Sequence, residues 1–290
     1  MPVKNSASMK DYEIIIQPNQ SWLYIDWQGL LHYRDLLYFL VKRNFIAVYK
    51  QTILGPIWFI LQPLLTTLVF TVVFGQMAKI PTDGLPPMLF YLCGLSIWNY
   101  FAKCTNDTSA IFITNSALFG KVYFPRLVVP LAVIISQLIT FVIQLITFLV
   151  FYFYFVCFTP AVLNIKPNMF LLLLPLLLLH TAVLSLGVGL WVSSITAKYR
   201  DISFVMVFML QLWMYITPII YPMSMVPVRW KFLVAINPLA PILEVYRYAF
   251  FGMGNPFTIY LLISILISVL ILFTGMLIFN KTERTVIDTV

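Results

Sequence analysis

"LVVPLAVIISQLITFVIQLITFLVFYFYFVCF", residues 127–158, carries no charged side chain. As a helix rising 1.5 Å per residue, a run of about 32 residues outreaches a hydrocarbon core of roughly 30 Å. It reads as a membrane-crossing helix that tilts or extends beyond the lipid. Two flanking runs are similar in kind: "ILGPIWFILQPLLTTLVFTVVFG", residues 53–75, where Pro63 is tolerable inside a membrane helix, and residues 169–192, which contain Pro175 and end near "LGVGL". Residues 257–279 form a third.

Two further stretches are less clean. In "MLFYLCGLSIWNYFAKCTNDTSA", residues 88–110, only the first 15 residues lack charge, and Asn99, Lys103 and Asp107 stand four apart on one helical face. Such groups are costly against lipid, so they should face protein, water or a membrane boundary. The run "FVMVFMLQLWMYIT", residues 204–217, is short and stops at Pro218 and Pro222.

The whole composition agrees with this reading. The 290 residues are 61% hydrophobic and 10% charged, with a mean hydropathy of +0.94; soluble domains are about 25% charged. The expectation is an all-α polytopic membrane protein with six transmembrane helices. It adds an N-terminal amphipathic interface helix over 29–50 and broken or re-entrant helices over 218–250, before the last span. Three regions follow: a cytoplasmic N-terminal segment with the interface helix (1–52), the transmembrane domain (53–280) and a cytoplasmic tail (281–290).

The net charge of +8 reads as topology rather than nucleic-acid binding, because Lys and Arg gather on the cytoplasmic side. With six crossings and the N-terminus inside, twelve of the 18 basic residues fall inside and five outside, with Lys103 within the second crossing. Residues 1–29 lack a continuous apolar core, so no cleavable signal is expected and both termini are placed in the cytoplasm. Cys93, Cys104 and Cys157 lack metal-ligand spacing and are expected to pack as free thiols. No phosphate-binding loop, paired carboxylates or metalloprotease signature is present, so no catalytic, cofactor or metal site is assigned to the chain.

Candidate functional residues divide into two groups. Trp58, Trp98, Tyr100, Trp213 and Tyr215 lie in or near predicted spans, where they can form an interfacial belt or line a path for sugar rings. Glu244 and Arg247, three apart, can pair structurally or meet a polar cargo. His180 can satisfy a local hydrogen bond or carry protons. On the cytoplasmic side, Asn115 or Ser116 can cap a short helix in "ITNSALFGKVYFPR", residues 113–126. The tight turn "TAKYRD", residues 196–201, can anchor topology or transmit force to a docked motor.

These motifs in order, "YRDLLYFLVKRNFIAVYKQTILGPIWFILQPLL", "NSALFGKVYFPRLVVPL", "KYRDI", "QLWMYITPIIYP" and "NPLAPILEVYRYAF", make the chain resemble the ABC-2 type permeases of bacterial polysaccharide exporters, over about residues 22–275. That family moves O-antigen, capsular or teichoic acid glycans. The resemblance implies a homodimer of permeases around a channel in the bacterial inner membrane, with two copies of a cytoplasmic ATP-binding subunit that hold ATP and Mg. Lipid-linked glycan is the implied cargo. Asn115, Lys121, Phe124, Pro125, Arg126, Arg200 and Asp201 become candidates for coupling to the ATPase, and the aromatics, with Glu244 and Arg247, become channel candidates. Pro87 and the polar segment 99–107 depart from the family's usual pattern. The competing readings are an exporter of another amphiphile, a membrane-embedded glycan-processing enzyme and a passive channel.

Overall fold

The computed structural model of the chain describes residues 27–50, 52–120, 124–158, 165, 167–254 and 258–287. Helices α1 (Trp27–His32) and α2 (Arg34–Tyr49) come first. The first long apolar element is α3 (Trp58–Phe70), entered through a 3₁₀ turn at Gly55–Ile57 and left through a π-helical turn at Thr71–Met77. Then follow α4 (Pro87–Ser109), the one-turn helices α5 (Ile111–Thr114) and α6 (Ser116–Phe119), and α7 (Val128–Phe158). The chain returns in α8 (Leu174–Thr196), preceded by a 3₁₀ turn at Met169–Leu173, and α9 (Ile202–Ile216). Two short helices, α10 (Val228–Ile236) and α11 (Leu239–Phe251), lead into α12 (Thr258–Ile287), which runs unbroken past residue 280.

Among the described residues, four helical segments are long and apolar enough to cross a membrane: Gly55–Met77, Val128–Phe158, Met169–Thr196 and Ile259–Glu283. The expectation of six transmembrane helices is therefore corrected to four. Helix α4 has the length, but Asn99, Lys103, Asn106 and Asp107 make its second half polar, and every residue from Leu89 to Trp98 is buried inside the bundle. Helix α9, at 15 residues, reaches only about 22 Å. The sidedness count that assumed six crossings loses its basis with them.

Helix α4 is the axis of the bundle because it packs on α8, α7, α3, α9 and α11. A close crossing joins α8 to α12, where a Cβ on Gly187 would stand 2.7 Å from the Leu272 backbone nitrogen. Small residues let two membrane helices approach this closely, and van der Waals packing then replaces the missing hydrophobic drive. His180 of α8 adds polar contacts there, with Nε2 3.0 Å from Ser268 Oγ and 3.2 Å from Ser264 Oγ.

Helix α2 lies against α7. Leu40 is buried beside Ile111, Val128, Val129 and Ala132, while Asp35 and Lys42 stay exposed. Leu31, Tyr38 and Phe39 also remain exposed, so the apolar surface of this segment is not confined to the face that α7 covers. The stretch 218–250 is a pair of short helices; α10 is largely exposed and α11 is buried along most of its length. Cys93 and Cys104 are buried free thiols, and Cys157 is an exposed one.

Candidate functional site

A cavity of about 450 Å³ opens between α3, α4, α7 and α9. Each helix presents a stripe at helical spacing: Trp58, Gln62 and Thr66 from α3, Asn99, Lys103 and Asn106 from α4, Gln137, Thr140 and Gln144 from α7, and Val207, Gln211 and Met214 from α9. Residues three and four apart fall on one helical face, so short polar side chains on otherwise apolar helices converge on a common space. Phe59, Trp98, Tyr100 and Phe141 complete the walls, and the Tyr100 and Phe141 rings meet edge to face at 5.7 Å.

The polar groups are partly cross-linked. Asn99 Nδ2 donates to Gln144 Oε1 at 3.3 Å, and Gln137 Nε2 donates to Asp107 Oδ2 at 3.0 Å. Lys103 Nζ lies 3.2 Å from Asp107 Oδ1, one helical turn on. These contacts satisfy the ion pair locally and leave other carboxamides facing the cavity.

Of the aromatic residues singled out in the sequence, Trp58, Trp98 and Tyr100 come together at this cavity. Trp58 is half exposed, whereas Trp98 and Tyr100 are buried. Trp213 and Tyr215 are not among the lining residues. Trp213 packs on Phe101 and donates its indole N–H to Asn237 Oδ1 at 3.0 Å, which ties α9 to the joint between α10 and α11. Tyr215 is on the surface. Sequence reasoning passed over Gln62, Asn106, Gln137, Gln144 and Gln211, although Gln137 and Gln144, seven residues apart in an apolar run, carried the signal of a polar stripe.

Glu244 and Arg247 are elsewhere and form no ion pair among the described residues. Arg247 is buried under the break after α9: Nη1 donates to the Pro218 carbonyl at 2.6 Å and Nη2 to the Ile219 carbonyl at 2.8 Å. Its guanidinium also lies 3.7 Å from the Phe90 ring centroid. The close approach of α4 at this point requires Gly94, where a Cβ would meet Arg247 Nη2 at 2.7 Å. Burial pushes the Glu244 carboxyl above the ordinary carboxylate range, opposed by the charge of Arg247 and the Met223 backbone N–H.

The coupling candidates divide by exposure. Arg126 is buried; its Nε is 3.7 Å from Glu283 Oε1, Nη1 donates to the Glu283 carbonyl at 3.3 Å, and the guanidinium lies over Phe119. Asn115 accepts a hydrogen bond from Arg43 Nη2 at 3.0 Å, which joins α2 to the joint between α5 and α6. Phe124 is buried between Tyr33 and Phe119, and Pro125 is half buried. Arg200 and Asp201, by contrast, are exposed in the turn between α8 and α9. Lys121 lies outside the described residues.

The ABC-2 type transporter family matches residues 35–251 of the chain. Among curated proteins, the O-antigen export system permease protein RfbA of Klebsiella pneumoniae is 26% identical over 250 residues, covering 86% of this chain and 92% of the relative. The protein of the same name from Myxococcus xanthus is 26% identical over 267 residues, 90% of this chain and 97% of its own length.

Proposed function

The chain belongs to the ABC-2 type transporter family, and on that premise we propose that it is the membrane permease subunit of an exporter that moves lipid-linked polysaccharide across the bacterial inner membrane. The observation that carries this reading is the cavity: carboxamides from four helices and the rings of Trp58, Trp98 and Tyr100 converge in a protein otherwise built of apolar helices. A carboxamide both donates and accepts hydrogen bonds, as a sugar hydroxyl does, so partners can exchange while a polymer advances. Aromatic rings offer flat apolar surface to the C–H faces of sugars without fixing a register. The relatives named for O-antigen export support the same cargo class.

Energy is assigned to a separate cytoplasmic ATP-binding subunit, present in two copies and holding ATP and Mg. A second copy of the permease would complete the channel. The exposed apolar side chains on α3 (Leu65, Leu68, Val69) and α9 (Phe204, Phe208, Met209) suit lipid or that second copy. Exposed Arg200 and Asp201 are the candidates for direct contact with the ATPase, together with Lys121. Both chain ends are assigned to the cytoplasm, because Lys42, Arg43 and Lys50 precede the first apolar segment and Lys281 and Arg284 follow the core of the last.

The experiment is to deplete the protein in its host and locate lipid-linked glycan. Accumulation in the cytoplasmic membrane with loss from the cell surface is the expected result. Unchanged glycan in both places would overturn the assignment, and loss of glycan synthesis would point to an enzyme instead.

A further inference from the structure

The cavity carries many uncharged polar side chains and little net charge. Gln62, Asn99, Asn106, Gln137, Gln144 and Gln211 face it, and among the described residues Lys103 is the one basic side chain that lines it. That ammonium already has its counterion in Asp107, at 3.2 Å. Gln137 braces the second carboxylate oxygen at 3.0 Å, which holds Asp107 beside Lys103. The formal charges of the pair cancel.

From this arrangement we propose that the cavity selects an uncharged, hydroxyl-rich saccharide over a polyanionic one, with the Lys103–Asp107 pair as the specificity determinant. The proposal rests on the glycan-permease reading and names the class of glycan within it. A neutral sugar needs matched donors and acceptors, which the carboxamides supply. An anionic repeat brings carboxylates or phosphates that must shed water, and that loss is offset only by a cation free to pair with them. An anionic sugar that approached Lys103 would have to share its ammonium, already neutralised by Asp107 at 3.2 Å, so the pair offers an anion little net attraction. Discrimination therefore comes as much from what the pair withholds as from what the carboxamides offer.

The test uses the full-length chain in nanodiscs of zwitterionic phospholipid, with fluorescently labelled maltoheptaose as the neutral probe. Heptagalacturonate, of equal length with a carboxylate on each ring, is the anionic probe, and both are titrated at low salt. The neutral probe should bind about tenfold or more tightly than the anionic one. Asp107→Asn, which frees the ammonium, should tighten the anionic probe by roughly five- to tenfold, with a gain that fades as salt rises. The double variant Lys103→Gln with Asp107→Asn should return to the neutral preference, and thermal unfolding of each variant verifies that it is folded. Equal binding of the two probes by the unaltered chain, or no gain in folded Asp107→Asn, would overturn the charge-selection proposal and leave the glycan reading standing. Binding of neither saccharide by the unaltered chain would sink both.

Discussion

Arg126 and Glu283, 157 residues apart in sequence, meet through both a side-chain ion pair (Nε to Oε1, 3.7 Å) and a hydrogen bond from Nη1 to the Glu283 carbonyl at 3.3 Å. The contact fastens the segment before α7 to the end of α12. This geometry gives Arg126 a positioning role for the loop. Arg126→Ala should lower the stability of the chain by about 1–3 kcal/mol, since it removes one member of a mostly buried pair. Arg126→Lys should restore part of it. Thermal unfolding in detergent measures both, and an Ala variant as stable as the unaltered chain would contradict the positioning role.

Arg247 should be the more sensitive position. Arg247→Met would strip two carbonyl acceptors of their donors and remove the contact with Phe90, at a cost of about 2–5 kcal/mol. Lysine cannot reproduce the fork that serves two carbonyls at once. Arg247→Lys is therefore expected to fall between the two in unfolding midpoint and in the amount of folded protein recovered from membranes.

The α8–α12 crossing makes a steric prediction. A side chain at Gly187 would press on the Leu272 backbone, which has no flexible end to move aside. Gly187→Val should cost about 1–3 kcal/mol through overpacking, read as a lowered unfolding midpoint. Gly120→Ala, where an added Cβ would meet nothing closer than 3.7 Å, is the control and should leave the midpoint near its starting value.

Glu244 predicts a pH effect with a definite sign. Its carboxyl is pushed up mainly by burial, so the folded state binds its proton more tightly than the unfolded state does. The stability this lends is fully present below the ordinary carboxyl pKa and is lost as pH rises through the raised folded value. Glu244→Gln should remove that component: the variant gains on the unaltered chain at pH 8, and the gap narrows toward pH 4. Unfolding midpoints across that range, with parallel curves as the contrary outcome, decide it.

The aromatic residues can be sorted by function. Trp58→Ala and Trp98→Ala alter the cavity wall, whereas Trp213→Phe removes the hydrogen bond to Asn237. Surface glycan in cells that carry Trp58→Ala should fall severalfold with protein abundance unchanged, because Trp58 is half exposed and little packing is lost. Trp213→Phe should instead destabilise the chain by about 1 kcal/mol. Equal loss of abundance in both variants would erase the distinction.

Much of this protein was legible along the chain. Residues 127–158 announced a long membrane helix, and α7 occupies Val128–Phe158. The ordered motifs pointed to the family whose match covers residues 35–251. Both signals are local: hydropathy needs only a window of consecutive residues, and a motif needs only its own spacing.

What the tertiary structure decided is which faces meet. Helical periodicity placed Asn99, Lys103 and Asp107 on one stripe, but only the packing of α4 at the centre of the bundle shows that the stripe meets Gln137 and Gln144 of α7. The same packing reduced six expected crossings to four, because α4 is shielded by its neighbours and can be polar where a lipid-facing helix could not. Arg247 looked like the partner of Glu244 three residues away, yet its hydrogen bonds go to carbonyls 28 and 29 residues back, where a proline break leaves buried acceptors in need of donors. Sequence spacing sets the direction in which a side chain leaves its helix; the partner that awaits it is set by contacts between distant segments, and these exist only once the chain has folded.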